Sequence, residues 1–175
     1  MNMTTQEFIK FCKHQHDVEC NQKYGKIHPY SFHLDLVATQ AKKFEELLGD
    51  FDLDLDKTIM ASCYGHDLIE DARVTYNDIK EMVGEKIADI IYCCTEEKGK
   101  NRDQRHSEKY FAELKENELA IFVKLCDITA NVKYSLLTDS GMFKKYRKEF
   151  PKVKEHLYVE KFKPLFDHLE SILSI

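Results

Sequence analysis

The chain has 175 residues, 43% of them apolar and 33% charged, with a formal net charge of −5. That length suits one domain with a sizeable core of its own, and the composition excludes a disordered chain. The acidic balance argues against sequence-independent binding of a nucleic acid polymer, which needs a broad cationic face. A local basic pocket for a small anion stays allowed. No stretch joins a basic start to an apolar run, and no window nears the roughly 18 apolar residues of a membrane span. The expected protein is soluble and cytoplasmic, without signal peptide or membrane contact. Its six cysteines (Cys12, Cys20, Cys63, Cys93, Cys94, Cys126) form no CxxC pair. They read as reduced thiols, mostly buried among apolar neighbours.

The pattern along the chain is helical nearly throughout, because six glycines and three prolines punctuate it and no run alternates with period 2. Thr4 and Glu7 form a capping box that opens a first helix to about His16, with Phe8, Phe11 and Cys12 inward. Residues 17–32 read as a loop broken by Gly25 and Pro29. A second helix starts near Ser31, carries Leu36, Val37, Phe44, Leu47 and Leu48, and closes at Gly49. Asp56 is the expected N-cap of a third, with Ile59, Met60, Cys63, His66 and Asp67 on its inner face. Thr75 and Asp78 form another capping box for a short helix that Gly84 ends, and 85–95 reads as a buried helix. Glu96 to Arg105 is expected to be a surface loop. Helices resume over Ser107–Lys115 and Leu119–Leu137. After Gly141 the chain is amphipathic helix again, with an interruption expected at Pro151 and a kink at Pro164. No repeat or linker divides it. The reading is one all-α domain over 1–175, with a motif-bearing core at about 8–150 and C-terminal helices over 151–175.

Three segments carry chemistry. In CYGHDLIEDARVT, His66 and Asp67 precede Glu70 and Asp71, which helical spacing would place on the same face. Three carboxylates crowded with an imidazole repel one another unless a cation sits among them. In VKLCDITAN, Asp127 lies in an apolar helix with Asn131 one turn on, and a buried carboxylate calls for a partner or a metal. In PYSFHLDLV, His33 lies on the track of Leu36 and Val37. Taken singly, each has a plainer reading: His33 as a hydrogen-bonded core histidine, Asp127 as an ion-pair partner of Lys124 or Lys133. Together, two imidazoles and two carboxylates suit one first-row divalent ion, such as Mn²⁺ or Fe²⁺. Such an ion polarises a phosphate oxygen and makes a nucleophile of water near neutral pH, with Glu70 placed to orient or deprotonate that water.

The order H…HD…D on a helical background resembles the HD-domain phosphohydrolases. HDLIEDARVT is similar to the HDxxED…T motif of the alarmone hydrolases, the hydrolase half of RelA/SpoT enzymes and their small stand-alone relatives, the metazoan Mesh-type homologues included. KLCDITAN is similar to their KLADxxxN segment and PYSFHLDLVA to their PYxxHPxxVA segment. The resemblance covers roughly residues 8 to 150. It implies an HD-domain helical bundle with His33, His66, Asp67 and Asp127 as metal ligands. It further implies Glu70 and Asp71 as the carboxylates that activate water, Asn131 on the substrate, and removal of the 3′-pyrophosphate from guanosine 3′,5′-bis(diphosphate) with Mn²⁺. Lys98, Lys100, Arg102 and Arg105 fall where the family keeps basic residues near the phosphates. Lys23 and Lys26 lie in the loop that supplies its guanine-stacking side chain. Leu34, Cys126 and Ile128 depart from the family pattern. The expected partner is a small phosphorylated nucleotide, and dimers are common enough among enzymes of this size to favour a homodimer. The rival readings are the same core acting on another nucleotide (a nucleoside monophosphate, a dinucleotide cofactor phosphate or a cyclic nucleotide), and a module that binds a nucleotide without turnover.

Overall fold

The computed structural model describes residues 3–49, 53–138 and 141–175, leaving aside the side chains of Leu53, Arg102 and Asp103. Helix α1 (Thr5–His14) opens on the expected capping box: the Thr4 hydroxyl accepts from the Glu7 N–H and the Glu7 carboxylate accepts from the Thr4 N–H at 2.8 Å. It does not stop at His16. A wider π turn, Gln15–Glu19, continues it and carries His16 into the interior, fully buried. The expected loop over 17–32 then contains a small antiparallel hairpin, Lys23–Tyr24 (β1) with His28–Pro29 (β2). Gly25 turns it at φ +57°, and a Cβ there would sit 1.9 Å from the Tyr134 hydroxyl. That close approach seats the hairpin on a distant helix and decides where Tyr24 points.

Helix α2 (Ser31–Lys43) starts where the spacing predicts. A 3₁₀ turn, Glu45–Leu48, follows it, and Gly49 at φ +90° ends the segment. Helix α3 (Leu53–Gly65) begins before Asp56, so Asp56 is a first-turn acid rather than the N-cap. It suits the helix N-terminus there and pairs with Lys42 at 2.7 Å. The expected continuous helix through His66 and Asp67 is interrupted. α3 ends at Gly65, and a separate turn of helix, α4 (Leu68–Asp71), follows. A Cβ at Gly65 would lie 2.5 Å from the Ile91 side chain, so the end of α3 is pressed onto the next layer.

Helices α5 (Tyr76–Val83) and α6 (Glu85–Cys94) match the expected capping box and the Gly84 stop. The polar run is not all loop, because Arg102–Arg105 forms a short helix, α7. α8 (Glu108–Lys115) and α9 (Glu118–Leu137) begin on the Ser107 and Asn117 side chains, which accept from their first-turn N–H groups. α10 (Met142–Leu157) runs through Pro151 instead of breaking there. Proline forfeits one helical hydrogen bond, and the carbonyl so freed belongs to Arg147 on the exposed side, where water can serve it. Buried Phe150 and Val153 hold the helix on either side. Pro164 sits in the first turn of α11 (Lys163–Leu173), a position it favours, and makes no kink.

The architecture is all-α around α9, which packs against α2, α3, α6, α8, α10 and α11. α11 completes that core with Leu165, Phe166 and Leu169, each worth roughly 1.5–3 kcal/mol of burial. A second cluster, Phe8, Leu34, Leu68, Ile79 and Ile91, ties α1, α4, α5 and α6 together. All six cysteines are free thiols, four of them buried and Cys20 exposed. Among the described residues no helix is long and apolar enough to cross a membrane.

Candidate metal centre and its cavity

Three elements meet at one buried point: the first turn of α2, the break between α3 and α4, and the middle of α9. His33, His66 and Asp127 are 2%, 1% and 7% exposed there, and each offers a donor atom within 4.8 Å of the others. His33 Nε2 lies 3.2 Å from Asp127 Oδ1 and 3.7 Å from Asp67 Oδ2. The break at Gly65 is what brings Asp67 in. Successive residues of an intact helix diverge by about 100°, yet His66 Nε2 and Asp67 Oδ2 are 2.9 Å apart. The Tyr30 hydroxyl donates to the same Asp67 oxygen at 2.5 Å.

The His66 ring is oriented for ligation. Its Nδ1 faces the Cys63 carbonyl at 2.8 Å, and a carbonyl only accepts, so Nδ1 carries the proton. Nε2 is buried and makes no hydrogen bond in the protein. Burial alone would lower the pKa of His66, but Asp67 and Asp127 beside it raise it to about 10. Burial likewise opposes ionisation of Asp127, yet Lys124 and the two histidines hold its carboxyl far below the ordinary range. A buried group of two imidazoles and two carboxylates, with His33 Nδ1 and His66 Nε2 both lacking a hydrogen-bond partner among the described residues, fits a divalent cation.

The centre opens into a cavity of about 140 Å³. Glu70 and Asp71 stand on its rim, carried by α4 instead of the second turn of a continuous helix. Burial, reinforced by nearby Glu96, pushes the Glu70 carboxyl up to about 7. Arg105 bridges Glu70 Oε1 at 3.5 Å and Glu96 Oε2 at 3.4 Å. Burial and Asp67 raise the pKa of Asp71, while Gln22 works against them by donating Nε2–H to Asp71 Oδ2 at 2.7 Å. The Gln22 amide is set in turn by His16, whose Nδ1 lies 2.7 Å from Oε1 and whose ring stacks on Tyr30. One buried imidazole thus supports the partners of both Asp67 and Asp71.

Asn131 reaches the cavity wall with its amide engaged at both ends. Nδ2 donates to Asp127 Oδ1 at 2.5 Å, and Oδ1 accepts from the Tyr24 hydroxyl at 2.9 Å. The Tyr24 ring stacks on His33 with centroids 4.7 Å apart. Of the basic residues singled out from the sequence, Arg105 lines the cavity. Lys23, Lys26, Lys98 and Lys100 are exposed and do not line it, and the Arg102 side chain lies outside the described residues. The second cation in the wall is Lys124, 3.2 Å from Asp127 Oδ2 and 3.6 Å from Glu96 Oε1. Lys124 was the plainer alternative for Asp127. The structure gives Asp127 both neighbours, one on each oxygen. Lys133, the other alternative, donates to Gln40 instead.

Sequence reasoning passed over Tyr24, Tyr30, Gln22, His16, Glu96 and Tyr146. Tyr30 alone had a local signal, lying one turn before His33. The others arrive from a hairpin, a π turn, a loop and α10 through tertiary packing.

No protein-family model matches the chain, and no curated protein does. Among solved structures, a metazoan ortholog of SpoT, reported to hydrolyze ppGpp, superposes with a TM-score of 0.74 at 18% identity. The match covers 97% of this chain and 93% of that one. The expected all-α fold and the expected likeness to SpoT-type proteins therefore meet in one result: in fold, the chain is similar to the metazoan SpoT ortholog over nearly the full length of both.

Proposed function

We propose that the protein is a metal-dependent phosphohydrolase acting on a small phosphorylated nucleotide in the cytoplasm. The preferred reaction is removal of the 3′-pyrophosphate from a guanosine 3′,5′-bis(diphosphate). The observation that carries this reading is the buried meeting of His33, His66, Asp67 and Asp127 beside a Glu70 carboxyl poised near neutrality. A divalent ion held by the four, Mn²⁺ in the first instance, supplies Lewis acidity toward a phosphate oxygen and lowers the pKa of water. Likeness to a ppGpp-hydrolyzing fold supports the substrate class.

The chain's own groups divide the work. Glu70 Oε takes the proton of the attacking water, a task suited to a carboxyl whose pKa lies near the working pH. Asp71, held as an acceptor by Gln22, orients that water. Arg105 and Lys124 neutralise charge that develops on the departing phosphate oxygens. Asn131, released from Tyr24, is placed to contact the sugar or phosphate. A homodimer belongs to the same proposal.

The test is pyrophosphate release from guanosine 3′,5′-bis(diphosphate) with Mn²⁺, run beside Asp127→Ala. Release by the wild type and none by the variant is the expected result. Mn²⁺ binding without release would transfer the reading to the same chemistry on another nucleotide. One observation favours that second reading: Lys23 and Lys26 are exposed, and Tyr24 is the hairpin residue that turns toward the centre. Release of phosphate from a nucleoside monophosphate or a dinucleotide 2′-phosphate decides between the two.

A further inference from the structure

We propose that the groove between α8 and α10 is a second anion site, outside the catalytic cavity, that takes a small polyphosphate anion such as inorganic diphosphate. The charge of the chain is segregated onto its wall. α10 holds Lys144, Lys145, Arg147, Lys148, Lys152 and Lys154 against Glu149 and Glu155, a net positive helix in a chain of net charge −5. Lys145, Lys148 and Lys152 follow one another at i, i+3 and i+7, which stacks them along a single stripe. That stripe faces His106 and Phe111 across a groove of about 260 Å³.

The groove differs from an ordinary solvated face in how its lysines are held. Elsewhere on α10, Lys154 pairs with Glu170 at 2.6 Å and His156 with Glu108 at 3.2 Å. Lys145 and Lys148 have no ion pair or hydrogen bond among the described residues. Lys152 is already placed, with Nζ donating to the His106 carbonyl at 3.0 Å and lying 5.4 Å from the Phe111 ring centre. Among the described residues Glu149 is the one carboxylate in the wall, and three lysines outnumber it. Phe111 and Val153 form a low-dielectric floor that concentrates the lysines' field on whatever enters. Three ammonium groups along one stripe suit the several negative charges of a compact diphosphate. His106 separates the groove from the catalytic cavity, its Nε2 hydrogen-bonded to Glu96 at 2.7 Å on the cavity side.

Calorimetric titration of inorganic diphosphate into the full chain, at low salt and without metal, tests the proposal independently of any hydrolysis. One equivalent should bind. Replacing both Lys145 and Lys148 by Gln should weaken binding by about tenfold or more, and Lys148→Arg should retain it, which separates charge from structure. Arg105→Gln, in the catalytic cavity, should leave the affinity unchanged. Binding that survives the double lysine variant, binding lost with Arg105, or no binding at millimolar diphosphate would each overturn the site.

Discussion

Arg105 and Lys124 line the cavity beside the proposed metal centre already engaged, each between two carboxylates, whereas Lys145 and Lys148 line the neighbouring groove with no ion pair or hydrogen bond among the described residues. His106 stands between the two regions. The difference follows from burial. A cation inside a protein needs a counter-charge there, because leaving it buried and unpaired costs several kcal/mol. At the surface, water serves the ammonium, and no partner is required. The inner cations therefore hold the cavity's carboxylates in place, while the outer ones stay free to meet an incoming anion.

The largest way to break this comparison is to remove the inner counter-charge. Asp127→Ala should abolish metal binding, measured as bound Mn²⁺ per chain. It should also lower stability by about 3 kcal/mol, the low end for a broken buried pair because Glu96 remains 3.6 Å from Lys124. Chemical denaturation reads the loss, and an unchanged midpoint would show that Lys124 does not depend on Asp127.

Next in size is Glu70→Gln, expected to reduce hydrolysis by about 10²–10⁴-fold with Mn²⁺ stoichiometry intact. The same residue sets a pH limb. Burial and Glu96 raise its pKa from 4.5 to about 7, and a proton acceptor works only when ionised. The rate should therefore rise with pH up to about 7 and level off above it, and the limb should vanish in the Gln variant. A wild-type rate that is flat from pH 5.5 to about 8 would remove Glu70 from the role.

Gln22→Ala sharpens the inner side more gently. Freeing Asp71 from its donor should lower kcat by about tenfold, the scale of an outer-shell partner, and leave KM and metal content alone. A rise in KM at constant kcat would instead place Gln22 on the substrate. The smallest effect belongs to the outer region. Lys148→Gln should change stability by less than about 0.5 kcal/mol and leave hydrolysis as it was. A fall in rate there would join the groove to the cavity as one site.

Much of the centre was legible because its residues are improbable in their local settings. Asp127 in an apolar helix, His33 on an apolar track and the HD…ED cluster each demanded a partner, and the four proposed ligands do converge. The capping boxes at Thr4 and Thr75 were legible for a simpler reason: both partners lie within four residues. Expectations failed where one local rule stood alone. Pro151 was read as a break, but Phe150 and Val153 are anchored in the core and the freed carbonyl faces water. Asp56 was read as a cap although the helix starts upstream of it.

The sequence by itself determined the all-α class and most helix ends, which rest on spacing within a turn or two, and it singled out His33, His66, Asp67 and Asp127 as proposed ligands through the cost of burying charge. Only the tertiary structure decided how the centre is built. Gly65 against Ile91 and Gly25 against Tyr134 are contacts between residues far apart in the chain. The first accompanies the helix break that turns Asp67 toward His66, and the second seats the hairpin that delivers Tyr24 to Asn131 while Lys23 and Lys26 stay exposed. Close packing acts on shape in three dimensions, and no window along the chain contains both sides of such a contact.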